Sequence, residues 1–151
     1  MVYISSPTNT QLDCFFCALP IPFYPFEKLF LLLFIFQNDL DENIVTDKMW
    51  LGFIIDQVLS NALKYTNEGG VVVSLKSTNS EKIISIADSG IGIRASDISR
   101  IFEDGFTGYN GRTSSKSSGI GLYLCRKIAD KLGYRLSAES KLGEGTKINI
   151  H

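Results

Sequence analysis

Residues 48–66 read KMWLGFIIDQVLSNALKYT, and this stretch decides the fold. Its apolar residues recur at steps of three and four, which predicts a helix that packs against a sheet. We expect Asp47 to cap the start of this helix, and the glycines of the 67–70 turn to end it in a left-handed conformation. The predicted core stripe comprises Leu51, Ile55, Val58, Ala62 and Tyr65, widened by Ile54, Leu59 and Leu63.

Three polar residues interrupt this apolar helix. Gln57, Asn61 and Lys64 are spaced by four and three, so they share one face. A carboxamide on a mostly apolar helix is costly unless another group pairs with it. The partner could be backbone, or a metal ion with phosphates. The alternative is a polar helix edge that faces solvent.

Composition excludes several classes of function. The 151 residues are 44% hydrophobic and carry a formal net charge of -1, which argues against disorder and against nucleic acid as a partner. A zinc site needs four ligands, but Cys14 and Cys17 stand as a lone pair and His151 is the only histidine. The three cysteines form no disulfide framework, which suggests reduced thiols in a cytosolic compartment.

Residues 1–28 differ in composition from the rest of the chain. They hold all four prolines, and charged residues interrupt the apolar segment that begins there. A membrane span needs about 20 apolar residues without such breaks, so no span is expected. We predict that 1–28 is a poorly ordered or truncated leader, or a strip that packs on a missing neighbour. Residues 29–151 form the folded domain.

Strands and helices follow from the same periodicity rules. We expect a short helix at 95–102 and another from 119 to 132, the latter with Leu124, Ile128 and Leu132 facing the core and Gly133 ending it. Two hairpins are expected, one on either side of these helices. The predicted strands are 29–36, 43–46, 71–76, 82–87, 134–139 and 146–150.

Two glycine-rich segments are candidates for ligand contact. Asp88 ends a predicted strand and precedes Gly90 and Gly92, so its carboxylate could accept from an amine such as that of adenine, or form an ordinary Asx turn. The polar loop 104–118 carries Arg112 and Lys116, cations suited to phosphate, and leads into a glycine-rich helix start. The alternative for this loop is a flexible surface segment.

The common phosphate loops are absent from the sequence. No Gly-x4-Gly-Lys-Ser/Thr motif occurs, so a Walker-type NTPase is excluded. Neither Gly90-x-Gly92 nor Gly119-x-Gly121 has a third glycine three residues later, so a Rossmann site is unsupported. The predicted order of elements also lacks the βαβ rhythm of a doubly wound sheet.

Four blocks in order resemble the catalytic ATP-binding domain of sensor histidine kinases. Residues 57–65 resemble the N box, 88–92 the G1 box, 101–106 the F box and 119–122 the G2 box. That domain belongs to the superfamily of gyrase B, the heat-shock chaperones and MutL. The stretch 101–123 is closer still to the bacitracin-sensing, intramembrane-sensing kinases of Gram-positive bacteria. The resemblance covers 29–150.

The resemblance implies a fold and a site. The fold would be an α/β two-layer sandwich, with three helices on one face of a mixed, mostly antiparallel sheet (the Bergerat type). Asn61 would bind Mg²⁺ and act with Lys64 in catalysis, and Asp88 would accept from adenine. The ATP site would comprise Gln57, Asn61, Lys64, Tyr65, Asp88, Gly90, Gly92, Ile93, Phe102, Phe106, Arg112, Lys116, Gly119, Ile120, Gly121 and Leu122.

The resemblance also implies a reaction and partners. The domain would donate the γ-phosphate of Mg-ATP to a histidine on a separate dimerisation hairpin, with a response regulator downstream. Gln57 stands where hydrolysing relatives have a water-activating glutamate, which fits transfer rather than hydrolysis. No helical hairpin is predicted before residue 29, and His151 lies on a predicted strand. We therefore expect an excised or truncated domain, monomeric and cytosolic, from a membrane-bound parent. Two alternatives stay open: an anti-sigma-factor-like serine kinase, and a non-catalytic nucleotide-binding fragment.

Overall fold

A computed structural model describes residues 33–37, 45–78, 80–108 and 118–151. The predicted leader at 1–28 lies outside these residues. Five strands and three helices are present in the described part of the chain. In order they are β1 Leu33–Gln37, α1 Lys48–Tyr65, β2 Gly70–Ser77, β3 Lys82–Asp88, α2 Ala95–Ile98, α3 Gly121–Leu132, β4 Leu136–Lys141 and β5 Gly145–Ile150.

The strands form one mixed sheet in the order β1-β2-β3-β5-β4. β1 pairs with β2 in parallel, while the pairs β2–β3, β3–β5 and β4–β5 are antiparallel. The predicted mixed, mostly antiparallel sheet is confirmed. Because β1 and β2 are parallel, α1 crosses over between them, and the chain does contain one βαβ unit that the sequence did not indicate.

Two predicted strands differ from the observed ones. The strand predicted at 29–36 is observed at Leu33–Gln37, and 29–32 lie outside the described residues. The strand predicted at 43–46 is wrong for Val45 and Thr46, which are not in a strand, and 43–44 lie outside the described residues. Val45 and Thr46 lead directly to the Asp47 cap of α1.

The helix α1 begins as predicted but ends differently. The Asp47 carboxylate accepts from the N–H groups of Met49 at 3.0 Å and Trp50 at 3.3 Å, which confirms the cap. At the other end, Thr66 is extended and not left-handed, and its N–H still bonds to the Ala62 carbonyl. The predicted glycine termination is therefore wrong, because the chain straightens directly into the approach to β2.

Removing the Asp47 cap is expected to destabilise the fold modestly. Asp47→Ala leaves two amide groups at the start of α1 without an acceptor, at a cost of about 1 kcal/mol in the free energy of unfolding. Urea denaturation of the two proteins measures the difference. Asp47→Asn keeps a side-chain acceptor and should lose only a fraction of that. Equal losses for the two variants would show that the charge matters and the cap does not.

The core lies between the helices and one face of the sheet. In α1 the fully buried residues are Leu51, Ile54, Val58, Ala62 and Leu63, whereas the predicted Ile55 and Tyr65 are only partly buried. The sheet contributes Val71, Leu75, Ile84, Ile86, Leu136, Ile148 and Ile150. The two-layer sandwich with three helices on one face is confirmed.

The helix α3 is rotated from its predicted orientation. Cys125 and Ala129 face the core and are fully buried, while Leu124 is 39% exposed and Ile128 is partly buried. The predicted stripe is therefore wrong at Leu124. Small residues at 125 and 129 let α3 approach the core closely. Gly133 ends the helix in the left-handed conformation at φ 77°, as predicted.

The predicted helix at 95–102 is helical only at Ala95–Ile98 and continues as turns. Ile101, in these turns, is 7% exposed and anchors the segment in the core. Arg94 is the residue before this helix, and its side chain makes no capping hydrogen bond. Among the helices of the described residues, none is long and apolar enough to cross a membrane.

The sheet face away from the helices carries a row of polar side chains. Ser85, Asn149 and Ser137 are paired neighbours on β3, β5 and β4. The Ser85 hydroxyl donates to Asn149 Oδ1 at 2.7 Å, and Asn149 Nδ2 approaches Ser137 Oγ at 3.4 Å. The Ser137 hydroxyl lies 2.8 Å from His151 Nε2. These polar groups satisfy one another and need no ligand.

Candidate functional site

Asp88, the last residue of β3, is held by two backbone donors. The N–H groups of Gly90 and Thr146 donate to its Oδ1, at 2.9 Å and 3.3 Å. The first of these bonds is the Asx turn that the sequence left open as an alternative. Because both donors reach Oδ1, the second oxygen, Oδ2, has no backbone donor. The turn therefore fixes the carboxylate and does not exclude a role in binding.

Burial raises the pKa of Asp88, and the hydrogen bonds from Gly90 and Thr146 offset only part of that effect. The Thr66 hydroxyl lies close enough to lower the same pKa, yet it makes no hydrogen bond of ordinary geometry. Thr66 is 1% exposed. A buried hydroxyl without a partner beside a half-satisfied carboxylate is costly, and a ligand with polar edges would relieve it.

The loop 88–93 is attached to the end of α1. The Ile91 N–H donates to the Tyr65 carbonyl at 3.1 Å, and Ser89 exchanges hydrogen bonds with the backbone of Gly70. Gly90 has no room for a side chain, because a Cβ there would lie 2.4 Å from the Tyr65 oxygen. Position 90 therefore requires glycine, because the loop packs closely against the end of α1.

The same loop is also attached to the turn between β4 and β5. The Ile93 N–H donates to Ser140 Oγ at 2.8 Å, and the Gly143 N–H donates to the Ile91 carbonyl at 2.8 Å. Gly92 is left-handed at φ +67°, and a Cβ there would lie 2.0 Å from the Lys141 oxygen. The loop 88–93 is therefore bonded both to the end of α1 and to the turn between β4 and β5. This arrangement contains four of the predicted site residues: Asp88, Gly90, Gly92 and Ile93.

Three members of this arrangement were missed by the sequence reasoning. Thr66, Ser140 and Thr146 surround the loop 88–93, but they belong to distant parts of the chain. The available signal was the glycine-rich stretch 143–146, which follows a strand in the same way as 88–92 does. A turn with two glycines before a strand is typical of any tight hairpin, so this signal was weak.

The face of α1 that carries Gln57 meets the start of α3. A Cβ on Gly121 would lie 2.6 Å from Gln57 Oε1, so the glycine leaves the space that the carboxamide fills. Gly119 is left-handed at φ +72°, and a Cβ there would lie 2.5 Å from the Gly105 carbonyl carbon. The predicted N, F and G2 boxes are therefore in direct contact.

Asn61, Lys64 and Tyr65 are partly exposed on α1, one or two turns after Gln57. Because Gln57, Asn61 and Tyr65 follow one another at intervals of four, they share a face. The Lys64 ammonium lies 5.3 Å from the centre of the Tyr65 ring, a cation–π distance. This face links the Asp88 region at the end of α1 with the start of α3.

The remaining predicted residues divide into three groups. Phe102, Phe106 and Leu122 pack against the core, and the Arg100 guanidinium stacks 4.5 Å from the Phe106 ring. Ile120 is 45% exposed at the N-cap position of α3, where its side chain makes no capping hydrogen bond and its N–H donates to Ser118 Oγ at 3.4 Å. Arg112 and Lys116 lie outside the described residues, so their predicted contact with phosphate stays a prediction.

The residues of the site fit a purine nucleotide with a magnesium ion. Asp88 offers an acceptor beside the Thr66 hydroxyl, which has no hydrogen-bond partner, and Gly90 keeps a side chain away from both groups, since a Cβ there would lie 2.8 Å from each. The described residues contain no cluster of three carboxylate, histidine or cysteine ligands. Mg²⁺ needs no such cluster, since it is commonly held by one or two protein oxygens together with phosphates and water.

The comparison with protein families gives the same result. Residues 46–151 match the family described as histidine kinase-, DNA gyrase B-, and HSP90-like ATPase, which is most of the chain. The chain belongs to this ATPase family. The resemblance inferred from the four boxes is thereby confirmed.

Curated relatives within this ATPase family are bacterial sensor kinases. The sensor protein kinase GraS of Staphylococcus aureus (strain MRSA252) is 41% identical over 73% of this chain. The sensor histidine kinase YxdK of Bacillus subtilis (strain 168) is 38% identical over 73%. The sensor protein BceS of Halalkalibacterium halodurans is 35% identical over 72%. The chain spans only about a third of the length of each, 32% of GraS and BceS and 34% of YxdK.

Solved structures agree with the fold. The mycobacterial sensor histidine kinase MprB is 27% identical, with a TM-score of 0.69 over 79% of this chain and 81% of that one. The catalytic domain of the histidine kinase ThkA, at 24% identity, has a TM-score of 0.64 over 78% of this chain and 75% of that one. The sandwich is therefore that of a histidine kinase-like ATPase domain.

Proposed function

We propose that this chain is the catalytic ATP-binding domain of a two-component sensor histidine kinase, which transfers the γ-phosphate of Mg-ATP to a histidine on a separate dimerisation domain. The observation that carries the proposal is the Asp88 carboxylate. Two backbone donors fix one of its oxygens, and the carboxylate lies near the buried Thr66 hydroxyl, which has no hydrogen-bond partner. An adenine amine is the kind of donor that such an acceptor would bind.

The chain's own residues would bind and orient the nucleotide. Asp88 would accept from the base, while Asn61 would offer its carbonyl oxygen to Mg²⁺, a hard cation that prefers oxygen ligands. Lys64 would bring a positive charge to the phosphates, and Gly119 and Gly121 would leave the first amides of α3 open to them. ATP would supply the phosphoryl group, whose transfer depends mainly on positioning and charge stabilisation.

Gln57 favours transfer over hydrolysis. A carboxamide has no titratable proton-accepting group, so it would not act as a general base toward water. Its Oε1 lies against Gly121, which couples α1 to the start of α3. A domain that keeps ATP intact until an acceptor arrives would benefit from a carboxamide at this position, because it is polar but does not activate water.

The relatives support a proposal about partners and location. The match covers only about a third of the length of the sensor kinases GraS, YxdK and BceS. We propose that the acceptor histidine lies on a dimerisation domain separate from residues 1–151, and that a response regulator receives the phosphate next. We also propose that the domain is cytosolic and monomeric, and that the parent protein is in the cell membrane.

Phosphotransfer to purified acceptors tests the proposal. The chain is incubated with γ-labelled Mg-ATP and a dimerisation hairpin from a GraS-type kinase, or the same hairpin with its histidine replaced. Acid-labile, base-stable label on the intact hairpin alone supports the proposal. Acid-stable label on a serine would overturn it in favour of a serine kinase. ATP binding without transfer to any hairpin would indicate a non-catalytic nucleotide-binding fragment.

Asn61→Ala is expected to weaken Mg-ATP binding by at least about tenfold, the size of one lost ligand contact. Binding of ATP with EDTA present should change little, because the lost group acts on the metal. Calorimetric titration with and without Mg²⁺ measures both. Asn67→Ala, at an exposed position just beyond α1, is the matched control and should change neither. An unchanged magnesium dependence in Asn61→Ala would remove Asn61 from the metal site.

A further inference from the structure

A second group of side chains with catalytic chemistry lies on the sheet face away from the helices. His151, which follows β5, is placed between two partners. Its Nε2 lies 2.8 Å from the Ser137 hydroxyl on β4, and its Nδ1 lies 2.9 Å from Glu81 Oε1 in the connection between β2 and β3. A hydroxyl, an imidazole and a carboxylate in this order form the arrangement that activates serine nucleophiles in unrelated folds.

The chemistry of the three groups settles the direction of both hydrogen bonds. A carboxylate can only accept, so His151 Nδ1 carries a hydrogen and donates it to Glu81. In the neutral imidazole Nε2 is then the acceptor, and Ser137 donates its single hydrogen to it. This is the tautomer in which a histidine can remove the proton of a serine hydroxyl.

Arg135 competes with this order only weakly. Its Nη2 lies 3.2 Å from His151 Nδ1, but a guanidinium can only donate, so it makes no hydrogen bond to an Nδ1 that is itself a donor. The same nitrogen lies 3.9 Å from Glu81 Oε1, and its charge attracts the carboxylate instead. The Arg135 side chain is 69% exposed, so this pairing is weak and Glu81 stays available to His151.

Asn149, the neighbour of Ser137 on β5, places a further donor beside the nucleophile. Its Nδ2 lies 3.4 Å from Ser137 Oγ and 3.0 Å from Glu139 Oε1. The Ser85 hydroxyl donates to Asn149 Oδ1 at 2.7 Å, so the two ends of the carboxamide are fixed and the amino group faces β4. A carboxamide N–H in this position can stabilise the negative charge that develops on a carbonyl oxygen under attack.

We propose that Ser137, His151 and Glu81 form a second reactive site, which hydrolyses small activated esters through an acyl-serine. Ser137 Oγ attacks the carbonyl carbon, and its proton moves to His151 Nε2. The bond from that carbon to the leaving oxygen then breaks, and the imidazolium gives its proton to the leaving group. Water adds to the acyl group with His151 as base, the bond to Ser137 Oγ breaks, and the serine recovers its proton as the carboxylic acid is released. The His151 side chain is only 15% exposed, so the site suits a small acyl group.

The test follows the hydrolysis of p-nitrophenyl acetate together with labelling by a fluorophosphonate probe. The tryptic peptide 136–141 contains Ser137 and Ser140, and its fragment spectrum distinguishes them. Ser137→Ala should lose the label at position 137 and all hydrolysis above the uncatalysed rate. Ser74→Ala is the matched control and should keep both. Ser74 pairs with Ser85 on the same sheet face, three strands away from Ser137 in the order of the sheet.

Two conservative variants distinguish a reactive site from a purely structural network. His151→Gln keeps a polar side chain between Ser137 and Glu81 but has no basic nitrogen, so the rate should fall at least about a hundredfold, the usual contribution of a general base. Glu81→Gln keeps an acceptor for Nδ1 but loses the charge that stabilises the imidazolium. Its rate should fall about tenfold or more.

Each outcome decides the proposal. A folded wild-type chain that is neither labelled nor active overturns it. Label on Ser137 that persists in both His151→Gln and Glu81→Gln also overturns it, because the serine would then react without its partners. If Ser137→Ala does not fold, the site of the label in the wild type and the rates of the other two variants still decide. ATP binding should be equal in all of these proteins, because the nucleotide site is proposed on the other face of the sheet. A failure of that site therefore leaves this test intact.

Discussion

Replacing Asp88 with asparagine is expected to abolish measurable ATP binding while the sheet and helices stay intact. Asparagine keeps one oxygen for the Gly90 and Thr146 amides, but its second polar atom is an NH₂ donor. A donor would then face the adenine amine. A lost hydrogen bond to a charged group, together with this mismatch, should reduce the affinity by about a hundredfold or more.

The raised pKa of Asp88 gives this prediction a pH dependence. The base needs the ionised carboxylate, and burial places its pKa above the ordinary value of 3.8. ATP affinity in the wild type should therefore fall on acidification at a higher pH than an exposed aspartate would cause. The sign for folding is the opposite: the ionised form costs stability above that raised pKa, and the cost disappears as the pH falls below 3.8.

Calorimetry and thermal unfolding measure the two effects together. Asp88→Asn should bind no ATP, yet near neutral pH it should be at least as stable as the wild type. Asp130→Asn is the control, since Asp130 is an exposed aspartate on α3 whose ion pair with Arg126 contributes little. If Asp88→Asn folds and binds ATP normally, the carboxylate is not the base acceptor that we propose. If it unfolds near neutral pH, the expected stability of the variant is wrong.

Alanine at position 145 is expected to cause the largest loss of stability in the turn between β4 and β5. Gly145 has φ +102°, and a Cβ there would lie 1.9 Å from the Asp88 carbonyl oxygen. The clash is with backbone, so β3 and β5 would have to separate. The strained backbone and the overpacking should together cost about 3 kcal/mol or more in the free energy of unfolding.

Gly143→Ala separates the two causes. Gly143 is left-handed at φ +80° in the same turn, but a Cβ there has no atom within 4 Å. It should cost only the backbone strain, about 1–2 kcal/mol. Urea denaturation of both variants gives the difference. Equal losses would mean that the contact with Asp88 does not matter, while a larger loss in Gly145→Ala should be accompanied by weaker ATP binding.

The sequence predicted the elements whose signals are local. The cap at Asp47, the hairpin of β2 and β3 and the left-handed end at Gly133 all follow from a few neighbouring residues, and all are present. The ends of α1 and α2 were less well predicted. Thr66 leaves the helix without glycine because β2 starts only four residues later, which is a tertiary constraint.

The orientation of the side chains on α3, and the residues that surround the loop 88–93, depend on contacts between distant parts of the chain. Leu124 was predicted to face the core, but the small Cys125 and Ala129 take that place because α3 must approach closely. Asp88 was found from its own motif, whereas Ser140 and Thr146 reach it only through the pairing of β3 with β5 and of β5 with β4. That pairing order is not visible in the local pattern.

The burial of Cys125 has a practical consequence, because the residue can report on opening of the domain. Burial raises the pKa of its thiol to about 12, so the reactive thiolate is scarce near pH 8 while the residue stays buried. Alkylation at this position must wait for α3 to leave the core. Mass spectrometry of the tryptic peptide that contains it distinguishes it from Cys14 and Cys17. A nucleotide that binds only the closed domain should slow this labelling in proportion to its occupancy, with no need for an acceptor histidine.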